Sequence, residues 1–106
     1  MDDKAIVITG ANGQVGRALQ KIYPQALALD RKQLDITNQK AINEFNWDNT
    51  KVIINPAAWT DVDGAENPSN YDLVKAVNVD ATRYLATTAS QHDLTFVTFS
   101  SDYVFD

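Results

Sequence analysis

Three glycines mark the first place where this sequence could do chemistry: Gly10, Gly13 and Gly16, in the run Gly10-Ala11-Asn12-Gly13-Gln14-Val15-Gly16. An apolar stretch, Ala5 to Thr9, precedes them, and a segment with helical spacing follows. That order reads as strand, tight turn and helix N-terminus. A helix N-terminus presents unpaired N–H groups and about half a positive charge, so it attracts phosphate. Glycine lets a pyrophosphate approach the backbone with no Cβ in the way. Asp30 lies 20 residues after Gly10, at the end of the next apolar run. An acidic side chain there can accept hydrogen bonds from an adenine ribose. A Walker loop is excluded, because Arg17 and Ala18 follow Gly16 where Gly-Lys-Ser/Thr is required. The chemistry implied is dinucleotide binding.

The elements that must position these residues follow from periodicity. Ala5 to Thr9 is a continuous apolar run, which suits a strand buried on both faces of a parallel sheet. Val15, Ala18, Leu19 and Ile22 repeat at i, i+3, i+4 and i+7, giving an amphipathic helix over 14–22 that Pro24 ends. Ala26 to Leu29 is a second short strand. Leu34-Asp35-Ile36 follows a polar turn, and Thr37 or Asp35 is placed to cap a helix holding Ala41, Ile42 and Phe45. Lys51 to Asn55 is a third strand. A loop from Trp59 to Ser69 leads to the longest helix, Tyr71 to about Gln91, and Leu94 to Phe99 is a fourth strand. The alternation predicts an α/β fold: a Rossmann-like, doubly wound parallel sheet in three α/β/α layers. The strand order expected is 3-2-1-4, with the first and fourth strands adjacent and the glycine loop at the switch point.

Composition narrows the function. The chain has 106 residues, 44% hydrophobic and 22% charged, which suits one folded domain with one core. The net charge of −5, without a basic cluster, argues against nucleic acid and anionic membrane surfaces. There are no cysteines and one histidine, which excludes disulfides, thiolate chemistry and multi-histidine metal sites. No metal site is expected. Asp61, Asp63 and Glu66 read as a solvated loop. No secretory signal or membrane-length apolar run is present, so a cytoplasmic protein is expected.

The spacing G-x-x-G-x-x-G after Thr9 resembles the short-chain dehydrogenase/reductase superfamily. Further elements appear in the same register: Leu29-Asp30, Leu34-Asp35-Ile36, Ile54-Asn55-Pro56-Ala57-Ala58-Trp59-Thr60-Asp61-Val62-Asp63, Ala65-Glu66, Val77-Asn78 and Ser100-Ser101-Asp102-Tyr103-Val104-Phe105-Asp106. Together they resemble the dTDP-4-dehydrorhamnose reductase family, an extended branch of that superfamily. The resemblance implies reduction of the 4-keto group of dTDP-4-dehydro-β-L-rhamnose by NADPH, with NADH as the other option. It places Gly13, Gln14 and Val15 at the pyrophosphate, with Gly10 and Gly16 also among the cofactor-binding residues, Asp30 at the adenine ribose, and Asp35 and Ile36 beside the adenine. Ala58, Trp59 and Thr60 fall on the nicotinamide side, and Phe99 is a further cofactor-binding position. Ser101 matches the catalytic Thr or Ser, and Val62, Ser101 and Asp102 face the sugar. Arg31, next to Asp30, reads either as a surface turn or as a clamp for a 2′-phosphate.

The implied reaction suits these residue types. Hydride delivery to a ketone builds negative charge on oxygen. A serine hydroxyl can hydrogen-bond that oxygen while a tyrosine, its pKa lowered by a nearby lysine, donates the proton. Pro56 and Ser101 are mild departures from the usual Ala and Thr. The family's Tyr-x-x-x-Lys pair falls beyond Asp106. Tyr71 and Lys75 have the spacing but lie inside the long helix. Residues 1–106 are therefore expected to be the N-terminal NAD(P)-binding part of an enzyme whose C-terminal substrate region is absent, binding nucleotide without turnover. A homodimer is allowed. Two other readings stay open: an epimerase or dehydratase acting on another nucleotide sugar, and a noncatalytic NADP-binding regulatory subunit. Trp47 is expected in a core or cap position, and His92 at the surface near a helix end.

Overall fold

The computed structural model of this chain describes residues 3–56 and 68–98, with side chains described outside 68–78. After a short 3-10 turn at Asp3–Ala5 come β1 (Ile6–Thr9), α1 (Gln14–Ile22), β2 (Leu27–Leu29), α2 (Gln39–Glu44), β3 (Val52–Asn55), α3 (Pro68–His92) and β4 (Thr95–Thr98). All pairings are parallel, and α1 coincides with the helix that the apolar spacing predicts. The expected doubly wound α/β class is what the chain adopts.

The sheet order is β2-β1-β3-β4. It keeps the sense of the expected 3-2-1-4 pattern, because the winding still reverses beside β1. The detail is corrected. β3, not the fourth strand, flanks β1, and β4 lies one strand further out. The reason is apolarity. Val52, Ile53, Ile54 and Asn55 are all buried, so β3 belongs inside the sheet. β4 reads Thr-Phe-Val-Thr, is exposed at three of four positions, and is the outermost of the four described strands on that side. β2 takes the other edge, with Leu27 48% exposed.

Alternation along β1 and β3 divides the core in two. Val7 and Ile53 face a cluster with Leu29, Leu34, Ile42, Trp47, Leu85 and Ala89, which brings α2 and α3 onto one side. Ile6, Ile8, Val52 and Ile54 face the other side, where Leu19 of α1 packs with Tyr23, Ala26 and Ala28. Fully burying a side chain such as Ile53 or Leu85 contributes about 1.5–3 kcal/mol. On the α1 side of β4, Val97 is left 41% exposed.

The ends of α2 and α3 show how local chemistry sets boundaries. Asn38 caps α2, its Oδ1 accepting from the Ala41 N–H at 3.2 Å. Thr37 and Asp35, the expected caps, are engaged with each other: Asp35 Oδ1 accepts from the Thr37 hydroxyl at 2.6 Å and its N–H at 3.0 Å. Trp47 is both core and cap, buried in the cluster while its Nε1–H donates to the Ile42 carbonyl at 2.9 Å. His92 is exposed in the last turn of α3. Asp93 then takes a left-handed φ of 58°, and Leu94 N–H reaches back to the Ala89 carbonyl at 2.7 Å. This is a Schellman closure with Asp where glycine is favoured. No helix among the described residues is long and apolar enough to cross a membrane. Replacing Asp93 with Gly should raise unfolding stability by about 0.5–1 kcal/mol, read from urea denaturation, because glycine tolerates that φ without a Cβ clash. A loss of stability would contradict this account of the cap.

Candidate functional site

The site is built where β1 ends. β1 and β3 lie side by side, and the chain leaves them toward opposite flanks, so the gap between their carboxyl ends is the switch point. Thr9 and Asn55, both fully buried, close the floor of that gap: the Thr9 hydroxyl donates to Asn55 Oδ1 at 2.6 Å. The Nδ2 of Asn55 is buried without a partner among the described residues.

Above this floor the chain makes the glycine turn. Gly10 has φ 60°, a conformation that side chains rarely adopt. Gly13 N–H closes the turn on the Gly10 carbonyl at 3.1 Å, and Ala11 N–H ties the turn to the Leu29 carbonyl of β2 at 3.1 Å. The first helical bond runs from Arg17 N–H to the Gly13 carbonyl at 2.9 Å. Gly13 is the N-cap of α1 and brings no side-chain cap, and the first turn holds no acidic residue. The N–H groups of Gln14, Val15 and Gly16 thus have no partner within the helix.

The three glycines do different work. At Gly16 a Cβ would run into the Gly10 carbonyl oxygen and would lie 3.1 Å from both the Cα and carbonyl oxygen of Ala11. At Gly13 a Cβ would meet only the Gly10 oxygen, at an ordinary 3.4 Å. Folding therefore requires glycine at 16 and leaves room for a methyl group at 13. What glycine at 13 keeps clear is the outer surface of the loop, above an uncapped helix end. That is the cradle a pyrophosphate requires, and the residues present fit one.

Asp30 stands beside the loop at the end of β2. Its Oδ1 accepts from Gln33 N–H at 3.0 Å, and the Gln33 side chain answers on Asp30 N–H at 3.0 Å. Its Oδ2 accepts from Asn12 Nδ2 at 3.4 Å, so the carboxylate keeps lone pairs for a further donor. Arg31 is exposed. The hydrogen bond from the Thr37 hydroxyl, then that from its N–H, then the charge of Arg31, hold the Asp35 carboxyl below the ordinary range. Ile36 packs against the core on the α2–α3 side.

Gly10, Gly13, Gln14, Val15, Gly16 and Asp30 are thus brought together, with Arg31, Asp35 and Ile36 in the adjoining turn. Ala58, Trp59, Thr60, Val62, Phe99, Ser101 and Asp102 lie outside the described residues, as do Asp61, Asp63 and Glu66. The expectation that the first and fourth strands adjoin is corrected: β3 stands between β1 and β4, and Thr98 pairs with Asn55. Sequence reasoning missed Gln20, whose Nε2 donates to the Ala11 carbonyl at 2.8 Å and the Gly16 carbonyl at 3.2 Å. No residue type marked it in advance, because both partners are backbone carbonyls that every residue carries.

Strand order and glycine turn together define a Rossmann-like α/β domain. A family model described as the RmlD substrate binding domain matches residues 4–106, and the chain belongs to that family. It is similar to the dTDP-4-dehydrorhamnose reductase of Aggregatibacter actinomycetemcomitans, 42% identical over 110 residues, covering 95% of this chain and 36% of the relative. The reductase of the same name from Mycobacterium tuberculosis (strain CDC 1551 / Oshkosh) is 40% identical over 105 residues, covering 95% and 34%. A dTDP-4-keto-6-deoxy-D-glucose reductase of Streptomyces niveus is 32% identical over 105 residues, covering 94% and 36%. The chain spans about a third of the length of these relatives.

Gly16→Ala should lower stability by about 1–3 kcal/mol in denaturant melts through the backbone clash, while Gly13→Ala stays within about 0.5 kcal/mol of the parent. Equal losses would remove the distinction between them. Asp35 has a depressed folded pKa, so its stabilising effect is complete above the unfolded value of about 3.9 and fades as pH falls through the folded value. Removing its main partner with Thr37→Ala should raise the folded pKa, measured by carboxyl NMR titration. An unchanged titration would assign the shift elsewhere.

Proposed function

We propose that residues 1–106 form the NAD(P)-binding part of an NADPH-dependent reductase acting on the 4-keto group of dTDP-4-dehydro-β-L-rhamnose to give dTDP-L-rhamnose. The reading rests on membership of the family and on the similarity to reductases of that name. The observation that carries it within this chain is the glycine turn beneath the uncapped start of α1, where Gly13 has room for a side chain and carries none.

In this reading the N–H groups of Gln14, Val15 and Gly16 hold the pyrophosphate. The Asp30 carboxylate orients the adenine ribose, and Asp35 and Ile36 flank the adenine. Arg31 pairs with a 2′-phosphate, which selects NADPH over NADH. Ala58, Trp59 and Thr60 belong to the nicotinamide side, Phe99 is a further cofactor-binding position, and Val62, Ser101 and Asp102 belong to the sugar. When bound, the cofactor supplies the hydride. The Ser101 hydroxyl donates a hydrogen bond to the keto oxygen as charge develops there. Proton delivery falls to a tyrosine–lysine pair that Tyr71 and Lys75 do not supply, so the chain alone binds cofactor without turnover. A second keto sugar of the same nucleotide class is a competing substrate reading, suggested by the Streptomyces niveus relative.

Calorimetric titration of the 106-residue chain with NADPH and NADH tests the proposal. NADPH should bind more tightly. Arg31→Ala should weaken NADPH about tenfold and leave NADH within about twofold. Equal losses for both would end the clamp assignment. A chain that binds neither dinucleotide would overturn the cofactor reading itself.

A further inference from the structure

We infer that Gln20 is the positioning residue of the glycine loop, the side chain that sets which way the loop's N–H groups point; the inference deepens the cofactor reading above and rests on it. Gln20 sits one turn beyond Gly16 on α1, half-buried, facing the loop. Its Nε2 lies 2.8 Å from the Ala11 carbonyl oxygen and 3.2 Å from that of Gly16. Both partners can only accept, so the amide must present its NH2 there, and its orientation is fixed by chemistry.

The consequence follows from peptide geometry. In a planar trans peptide the C=O and the next N–H point in opposite directions. Drawing the Ala11 carbonyl toward Gln20 turns the Asn12 N–H away from the helix body. Ala11 N–H is already engaged with Leu29 of β2, so both sides of this residue are held. The same amide grips Gly16, whose Cα packs where no Cβ fits. One side chain thus ties the turn to the first turn of α1. The Asn12 N–H on the outer side of the turn, next to the first N–H groups of α1, is then ordered before a pyrophosphate arrives, which lowers the ordering cost of binding.

The role separates from plain structural support by its readouts. Gln20→Met keeps length and helix propensity but removes both donors. Gln20→Glu keeps the shape and sets a carboxylate against two carbonyl oxygens. Both variants should melt within about 3 °C of the parent, since Gln20 is only half-buried. NADPH affinity should fall about tenfold in Gln20→Met and further in Gln20→Glu. Adenosine 2′-monophosphate, which lacks the pyrophosphate, should bind as before. In the ligand-free chain, Gly13 amide exchange should speed about tenfold in Gln20→Met, with the Ile8 and Ile53 amides unchanged. Unchanged Gly13 exchange overturns the proposal whether or not the chain binds NADPH. Equal losses for NADPH and adenosine 2′-monophosphate also overturn it. Faster Gly13 exchange in a chain that never binds NADPH supports the positioning role and rejects the cofactor reading.

Discussion

Helix α1 approaches the exit of β1 so closely that one position on it cannot carry a side chain. A Cβ on Gly16 would occupy the space of the Gly10 carbonyl oxygen. The left-handed turn at Gly10, the bond from Gly13 back to Gly10 and the reach of Gln20 to Ala11 all depend on that approach. Because the helix starts hard against the turn, its first N–H groups emerge at the carboxyl edge of the sheet, beside Asp30. A looser docking would bury the helix end or tilt it away. Either would separate the positive end of the helix from the Asp30 carboxylate.

The two inner strands make that docking possible. β1 and β3 are buried along their whole length and are sandwiched between α1 on one face and α2 with α3 on the other. Their shared polar feature is the Thr9–Asn55 pair at the carboxyl end. A buried hydroxyl and amide are costly unless paired, so the bond locks the ends of the two strands in register. The glycine turn therefore rises from a fixed platform. The unpartnered Nδ2 of Asn55 is the one described buried side-chain atom left unsatisfied. It lies below the switch point, beside the Thr9 hydroxyl.

Much of this was legible in the residue string. The period of 3.6 in Val15, Ala18, Leu19 and Ile22 located α1, because an amphipathic stripe needs no distant partner to declare itself. Glycine spacing and the position of Asp30 located the loop and its acidic neighbour, since turn chemistry is local. Strand order was read less well. Nothing in a short apolar run states which flank it will take. The clue lay in the apolar runs themselves: the four residues buried along β3 belong inside the sheet. The cap of α2 was also misplaced, because Asp35 and Thr37 satisfy each other and leave the helix to Asn38.

By itself the sequence determined the class of fold, the glycine turn, the bounds of α1 and the residue types that suit a dinucleotide. Those depend on local periodicity, backbone stereochemistry and side-chain chemistry. Only the tertiary structure decided that β3 lies between β1 and β4. It alone showed that Gly16 is sterically obligatory while Gly13 has room to spare. It also recruited Gln20 to hold the loop from beneath. The reason is the same in each case. These outcomes depend on which surfaces meet after the chain has crossed the sheet, and on distances of a few tenths of an ångström that spacing along a chain does not encode.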